Sequence, residues 1–253
     1  MIPVLQIVER MNAALDAEGF ERYTWDRDYR PAINYAQEWI TGVFSSALGS
    51  NKFNEEALQD LTYNRIWKTN AYSRFVFQSS LVGHSLWTVI GIYPDCVITP
   101  DTDIVQSDIT KSVYSSKHSY VSSYNSAGRV TAEEMNINRR NPFFSGNEII
   151  TCPELRTYSY KTLTNYRGGY TPAVGVSNME IEIFPSYKNK ILAMEYLKYP
   201  TPIVDEIDRV EYPLSIINMV VDKALNFIAA KQAGIPLQQA SEGDLNKLIT
   251  LMS

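Results

Sequence analysis

The chain of 253 residues predicts an α+β fold, with N- and C-terminal helices packed together beside an antiparallel β-rich middle bearing a long extended arm or loop. Helical periodicity is confined to residues 1–62 and 201–253, and a two-residue period dominates 63–200. The block from Met179 to Lys231 joins the two regimes: MEIEIFP, a lysine-bearing turn, ILAMEYLKYPTPI, then DRVEYPLSIINMVVDKALNFIAAK. The three segments are expected to make one domain of 253 residues, with residues 100–147 as an elaborated segment of the middle.

Residues 3–18 predict a first amphipathic helix with Val4, Val8, Met11 and Leu15 on one stripe and Gly19 as terminator. A second runs from about Asp28 to Leu48, burying Ile33, Ala36, Ile40, Val43 and Ala47; Asp28 can cap it, and Pro31 fits a first turn that needs no N–H. A third starts at Asn54, stapled by Phe53 and Leu58, with Glu55 and Glu56 at the positive end of its dipole. Strands follow over Ile66–Phe77 and Leu86–Ile98, rich in β-branched and aromatic residues and interrupted by Gly83, Gly91 and Pro94. From Pro100 to about Gly128 no continuous apolar face exists, and KSVYSSKHSYVSSYNS holds seven serines and three tyrosines. Such a stretch is an arm that orders on a neighbour, a long surface loop or a polar β-hairpin.

Thr131 with Glu134 marks a cap and a short helical turn, and Leu155, Tyr158, Tyr160, Leu163 and Tyr166 read as strand before the Gly168-Gly169 turn. Met179, Ile181 and Ile183 share one face of a strand, and Ile191, Ala193, Glu195 and Leu197 keep the period across SYKNK, predicting a β-hairpin bracketed by Pro185, Pro200 and Pro202. After Asp208, Pro213 opens a long helix that buries Ile217, Val220 or Val221, Ala224 and Ile228 and stops at Gly234 and Pro236. Ser241 and Asp244 announce a last short helix carrying Leu245, Leu248, Ile249 and Met252.

The net charge of -5 gives no general attraction to nucleic acid or an acidic membrane. Seventeen tyrosines among only 20% charged residues fit either a surface made to be contacted or a sheet that favours aromatics. Cys96 and Cys152 lack metal or disulfide-framework spacing. No charged leader with an apolar stretch opens the sequence and no run approaches a bilayer span, so the expectation is a protein soluble and cytosolic at synthesis. His84 and His118 stand in no metal or nucleophile motif and read as structural or surface groups, and no cofactor is expected. Asp101, Asp103 and Asp108 could hold a hard cation but read better as a solvated turn, since neither GxGxxG nor GxxxxGK[ST] accompanies them. Arg129, Arg139, Arg140, Lys188 and Lys190 could touch phosphates without reading sequence.

The block MEIEIFPSYKNKILAMEYLKYPTPIVDEIDRVEYPLSIINMVVDKAL, with the helical opening ending near Leu61, resembles the head-to-tail connector, or neck ring, proteins of tailed bacteriophages, most of all ring proteins of crAss-like phages. The shared traits are a Tyr-Leu-Lys strand, a Pro-Thr-Pro crossover and a helix start at Glu211, Tyr212 and Pro213. The resemblance implies a non-enzymatic protomer of a closed ring, commonly of twelve copies, in the virion neck. Its partners would be itself, the portal, adjacent neck or tail proteins and packaged DNA, with no membrane. Expected contact residues are Tyr114, Tyr120, Tyr124, Tyr199, Pro200, Pro202 and Ile203, and Arg139, Arg140, Lys188 and Lys190 would face DNA. Two other readings stay open. One is a carbohydrate-active enzyme using Asp101, Asp103 and Glu133 or Glu134; the other is a virion attachment module with an exposed aromatic patch.

Overall fold

The computed structural model describes residues 1–15, 23–48, 52–94, 104–106, 113–115, 127–140, 157–162, 178–184 and 188–233. In chain order the elements are β1 (Ile2–Pro3), α1 (Val4–Ala14), a π-helical turn (Trp25–Tyr29), α2 (Arg30–Ser46), α3 (Lys52–Ala57), a 3-10 turn (Gln59–Leu61), β2 (Thr62–Lys68), β3 (Arg74–Gln78), α4 (Ser79–Val82) and β4 (Leu86–Pro94). They continue with β5 (Ile104–Gln106), β6 (Val113–Ser115), β7 (Gly128–Arg129), α5 (Ala132–Arg140), β8 (Thr157–Thr162), β9 (Asn178–Phe184), β10 (Ile191–Lys198), β11 (Arg209–Val210), a 3-10 turn (Leu214–Ile216) and α6 (Ile217–Ala233). The fold is α+β. Two compact units form, Met1–Leu61 with Pro200–Ser253 and Thr62–Tyr199, where the sequence reading groups everything in one domain. No helix among the described residues is long and apolar enough to cross a membrane.

In the first unit α1 and α2 both pack on α6, so the two ends of the chain share one core. Helix α6 buries Ile217, Val220, Val221, Ala224 and Ile228, as its spacing predicts. Helix α2 buries Ile33, Ala36 and Ile40 as expected, but its stripe continues through Phe44 while Val43 and Ala47 are half-buried, because 3.6 residues per turn carry the face from Ile40 to position 44. In α1 the core residues are Val4, Ile7 and Met11; Ile7 lies three residues from one and four from the other, leaving Val8 and Leu15 at the edge.

Three expected helix starts are corrected. Asn54 lies inside α3, fully buried, and its Nδ2 donates to the Ala47 carbonyl at 3.1 Å, so it closes the end of α2 instead of opening α3. The Asp28 carboxylate accepts the Thr24 N–H at 3.1 Å, before the π-helical turn and not at α2 itself, while Pro31 does occupy the first turn of α2. Pro213 stands ahead of the 3-10 turn in extended backbone, at φ -67° and ψ 155°.

The buried Tyr212 links the chain ends. Its hydroxyl donates to the Gln37 carbonyl at 2.6 Å and sits 2.6 Å from Thr41 Oγ1, which also donates to that carbonyl at 2.8 Å. Burial pushes the phenol far above its usual range, so it remains a neutral donor at any pH the fold meets. The buried Lys223 of α6 adds a cation–π contact, its Nζ 4.1 Å from the Trp39 ring of α2.

The second unit has two sheets, ordered β4-β10-β2-β6-β5 and β3-β9-β8-β7, antiparallel throughout except for the short β7–β8 pair. The expected β9–β10 hairpin does not form. Strand β10 pairs with β2 and β4, while β9 pairs with β3 and β8 in the other sheet. The β2–β3 and β9–β10 connections turn from one sheet to the other side by side, joined by Thr69 N–H to the Lys190 carbonyl (2.9 Å) and Asn189 N–H to the Asn70 carbonyl (3.2 Å). The only non-glycine residues with positive φ among those described, Ser73 at 63° and Asn189 at 55°, both sit at this corner, where the ribbon must bend sharply.

Parting the strands lets each supply a face to one core. Met179, Ile181 and Ile183 of β9 meet Leu192, Met194 and Tyr196 of β10, with Trp67, Phe75 and Phe77. Each such side chain contributes about 1.5–3 kcal/mol on burial. The core face of β10 is therefore the opposite of the one expected; Ala193 and Leu197 are buried too, as befits a central strand covered on both sides. Gly91 does not interrupt β4 but makes room within it. A Cβ there would lie 2.7 Å from Tyr93 Oη, and the space lets Tyr93 donate to Glu195 at 3.0 Å. Of the serine-rich segment, β5 and β6 form an antiparallel pair beside β2, the polar-hairpin alternative; the rest lies outside the described residues, as do Gly19, Gly168-Gly169, Gly234, Pro236 and the expected last helix.

Tyr212→Phe should lower the unfolding free energy by about 0.5–1.5 kcal/mol, since the Gln37 carbonyl keeps the Thr41 hydroxyl but loses the donor that reaches it from the other end of the chain. Urea denaturation of the two proteins measures this, and an unchanged midpoint would show that the Tyr212 hydroxyl does not join the ends.

Candidate functional site

The crossover from Pro200 to Asp208 has its backbone polar groups held by side chains of its own unit. The Asn34 carboxamide of α2 takes Ile203 as a neighbouring strand would, accepting its N–H at 2.7 Å and donating to its carbonyl at 3.1 Å. Trp25 Nε1 donates to the Val204 carbonyl at 3.0 Å, and Glu211 accepts the Thr201 N–H at 3.0 Å. Asp208 Oδ2 accepts the N–H groups of Val204 and Asp205, both at 2.9 Å, while the Asp208 carbonyl accepts the Val4 N–H at 3.0 Å. The hydrogen bonds from Asp205 and Val204 hold the Asp208 carboxyl below its ordinary range.

Side chains on this pinned backbone divide sharply. Ile203 is buried as an anchor, whereas Val204 is 60% and Ile207 89% exposed, with Thr201, Pro202, Asp205 and Glu206 also exposed. Single exposed aliphatics are ordinary on a protein surface. Two of them on a loop whose conformation is already fixed make an apolar knuckle with an acidic rim.

Among the expected contact residues, Pro202 remains available. Ile203 and Pro200 are corrected to core, because the chain's own packing already removes them from solvent. Tyr199 is half-buried, its ring 5.1 Å from that of Trp87 and its N–H donating to the Ser85 carbonyl. Tyr114 lies on β6 opposite Trp67, and Tyr120 and Tyr124 fall outside the described residues. Lys188 and Lys190 are exposed at the corner, and Arg140 is exposed at the end of α5. Arg139 is engaged, since it binds Glu182 and donates to Asn136 at 3.0 Å.

Carboxylate chemistry finds a different pair from the one the sequence suggests. Glu180 and Glu182 project from one face of β9 into a shallow groove with Tyr160 and Met135. Arg74 bridges them at 3.3 and 3.2 Å, and Arg139 takes the second oxygen of Glu182. The four side chains form one ion-pair network that ties β3, β9 and α5 together. Glu134 closes a reciprocal cap, its carboxylate accepting the Thr131 N–H (2.7 Å) while the Thr131 hydroxyl accepts the Glu134 N–H (3.2 Å); Glu133 is exposed. His84 stacks on Tyr196 and hydrogen-bonds its hydroxyl at 3.1 Å, the structural role expected. Asp101, Asp103, Asp108, His118, Cys96 and Cys152 lie outside the described residues, among which no group of three or more His, Cys, Asp or Glu side chains is placed to hold a metal ion.

The resemblance implies a contact role for the crossover from Pro200 to Ile207 as a whole, and Val204 and Ile207, not singled out by it, are its exposed aliphatics. Sequence reasoning missed Tyr72, 77% exposed in the TNAYS connection. No protein-family model and no curated protein matches the chain.

The Asp208 carboxyl should titrate below the ordinary aspartate value of 3.8. A depressed folded-state pKa means that its stabilisation is complete above the unfolded value and is lost as pH falls through the folded one. Carbon-detected titration should show the Val204 and Asp205 amide shifts moving with Asp208 in that acid window. Titration at or above 3.8 would contradict the hydrogen bonding described.

Proposed function

We propose that the protein is a structural, non-enzymatic subunit of a closed ring in the neck of a tailed-phage virion, joining portal to tail around the DNA channel. The observation that carries this is the crossover, which presents Val204 and Ile207 to solvent on a backbone already pinned by Asn34, Trp25 and Asp208. Association through a preordered segment loses little further conformational entropy, so even a small apolar contact yields net affinity. A ring repeats each contact around its axis, and closure makes modest interfaces sufficient. The sequence block that resembles neck ring proteins contains this crossover, and it is the basis for naming the portal, adjacent neck or tail proteins and about twelve copies of the chain as partners. Of the carboxylates named for the carbohydrate-enzyme alternative, Glu134 is engaged in the reciprocal cap with Thr131.

Mass photometry and sedimentation of the full chain, across concentrations and with a portal ring, test the proposal. Assembly into a closed oligomer or binding to the portal is expected. Val204→Ser with Ile207→Ser should weaken it at least tenfold, since burying two aliphatics is worth about 1.5–3 kcal/mol each and 1.4 kcal/mol is one decade. A chain that stays monomeric and never engages the portal would overturn the reading.

A further inference from the structure

We infer that the acidic, apolar crossover of one copy docks on the basic, aromatic sheet corner of a second copy of this chain; the inference rests on the ring reading above and names its subunit contact. The corner is built as the crossover is. Asn70 Oδ1 accepts the N–H groups of Tyr72 (2.8 Å) and Arg74 (3.1 Å), and the Ser73 N–H donates to the Asn70 carbonyl at 3.1 Å. Backbone bonds from Asn70 to Asn189 and from Thr69 to Lys190 then tie this turn to the lysine-bearing one. The result is a fixed tip with one exposed aromatic ring, Tyr72, beside the exposed Lys188 and Lys190.

Charge and shape of the two tips are complementary. Residues 68–73 and 188–190 contain Lys68, Lys188 and Lys190 and no acid, Arg74 next to them being paired with Glu180 and Glu182, whereas 201–208 contains Asp205, Glu206 and Asp208 and no base. Each tip has apolar surface to cover: Tyr72 at 77% exposure on one, Val204 and Ile207 at 60% and 89% on the other. An exposed tyrosine on a lysine-bearing corner fits an aliphatic surface with a carboxylate rim, gaining apolar burial and charge matching together. Two different patches on one chain make a heterologous contact, which each copy uses once with each of two neighbours. Nucleic acid is the less favoured occupant. Two exposed lysines supply little of the phosphate neutralisation that backbone binding needs, the chain carries net charge -5, and duplex phosphates would leave Tyr72 uncovered.

The test uses the full chain and two charge reversals, Lys188→Glu with Lys190→Glu and Asp205→Lys with Glu206→Lys, each checked for an unchanged melting temperature. Each reversal alone should weaken self-association by about tenfold, and the fourfold variant should recover to within about threefold of the parent. A photo-crosslinker replacing Tyr72, in a mixture of light and heavy isotope-labelled chains, should join peptide 201–209 of another copy, a readout that survives if a reversal fails to fold. A parent chain that assembles with no such crosslink and no response to either reversal would overturn this contact while leaving the ring reading standing. A parent chain that never assembles, alone or with the portal, would overturn both. Loss of salt-dependent binding to duplex DNA on reversal of the corner, with self-association unchanged, would make the corner a phosphate contact and overturn the inference.

Discussion

A connection that leaves a central strand and returns to a helix must satisfy its backbone polar groups without a ladder of its own, and the Asn34 carboxamide supplies that condition at Ile203. The asparagine carboxamide offers both N–H donors and a carbonyl acceptor, as a peptide backbone does, so a single side chain on α2 serves Ile203 in place of a paired strand. Trp25, Glu211 and Asp208 complete the set, all from the unit to which the crossover belongs. Once the backbone is fixed, Ile203 is committed to the core and its neighbours Val204 and Ile207 have nowhere to turn but outward. The exposed knuckle is therefore a consequence of how the connection is held, and its rigidity gives it value as a contact.

The same economy recurs in the β-rich unit. Two strand connections turn a corner together and hydrogen-bond to each other, so neither needs a tight hairpin turn, and two left-handed residues absorb the bend. Asn70 serves that corner as Asp208 serves the crossover, with a side-chain oxygen taking two backbone N–H groups. Beneath the bend, apolar faces from both sheets close on Trp67, Phe75, Phe77 and Tyr196. The rim of the unit carries the arginine–glutamate network of Arg74, Arg139, Glu180 and Glu182, which holds α5 against β9 through Arg139 and Glu182.

How much was legible in the sequence depends on the range of the interaction. The period of α6, the Thr131–Glu134 cap and the alternation of β9 are local, and each appears where its spacing puts it. Pairing partners are not local. Nothing in IFPSYKNKIL distinguishes a hairpin from a corner, because both need a polar turn, and the deciding partners at residues 62–78 lie more than a hundred positions away. Asn54 and Asp28 misled for a related reason, since a capping residue type announces that an end is near but not which end it will serve. The resemblance makes Pro200 and Ile203 contact residues, yet both are buried, and Ile203 is held by Asn34 of α2, a partner far off in the sequence. Which residues of the crossover face outward was not legible, because the pinned backbone decides that Ile203 is buried and Val204 and Ile207 are exposed.

The claim on which the account turns is that the crossover is ordered before any partner arrives. Native-state amide hydrogen exchange on the isolated protein at neutral pH, followed at Ile203, Val204 and Asp205, tests it most directly. The account predicts protection well above free-peptide rates at all three, and its selective loss in Asn34→Ala while the α6 amides stay protected. Exchange of these three amides at free-peptide rates in the unaltered protein would contradict it.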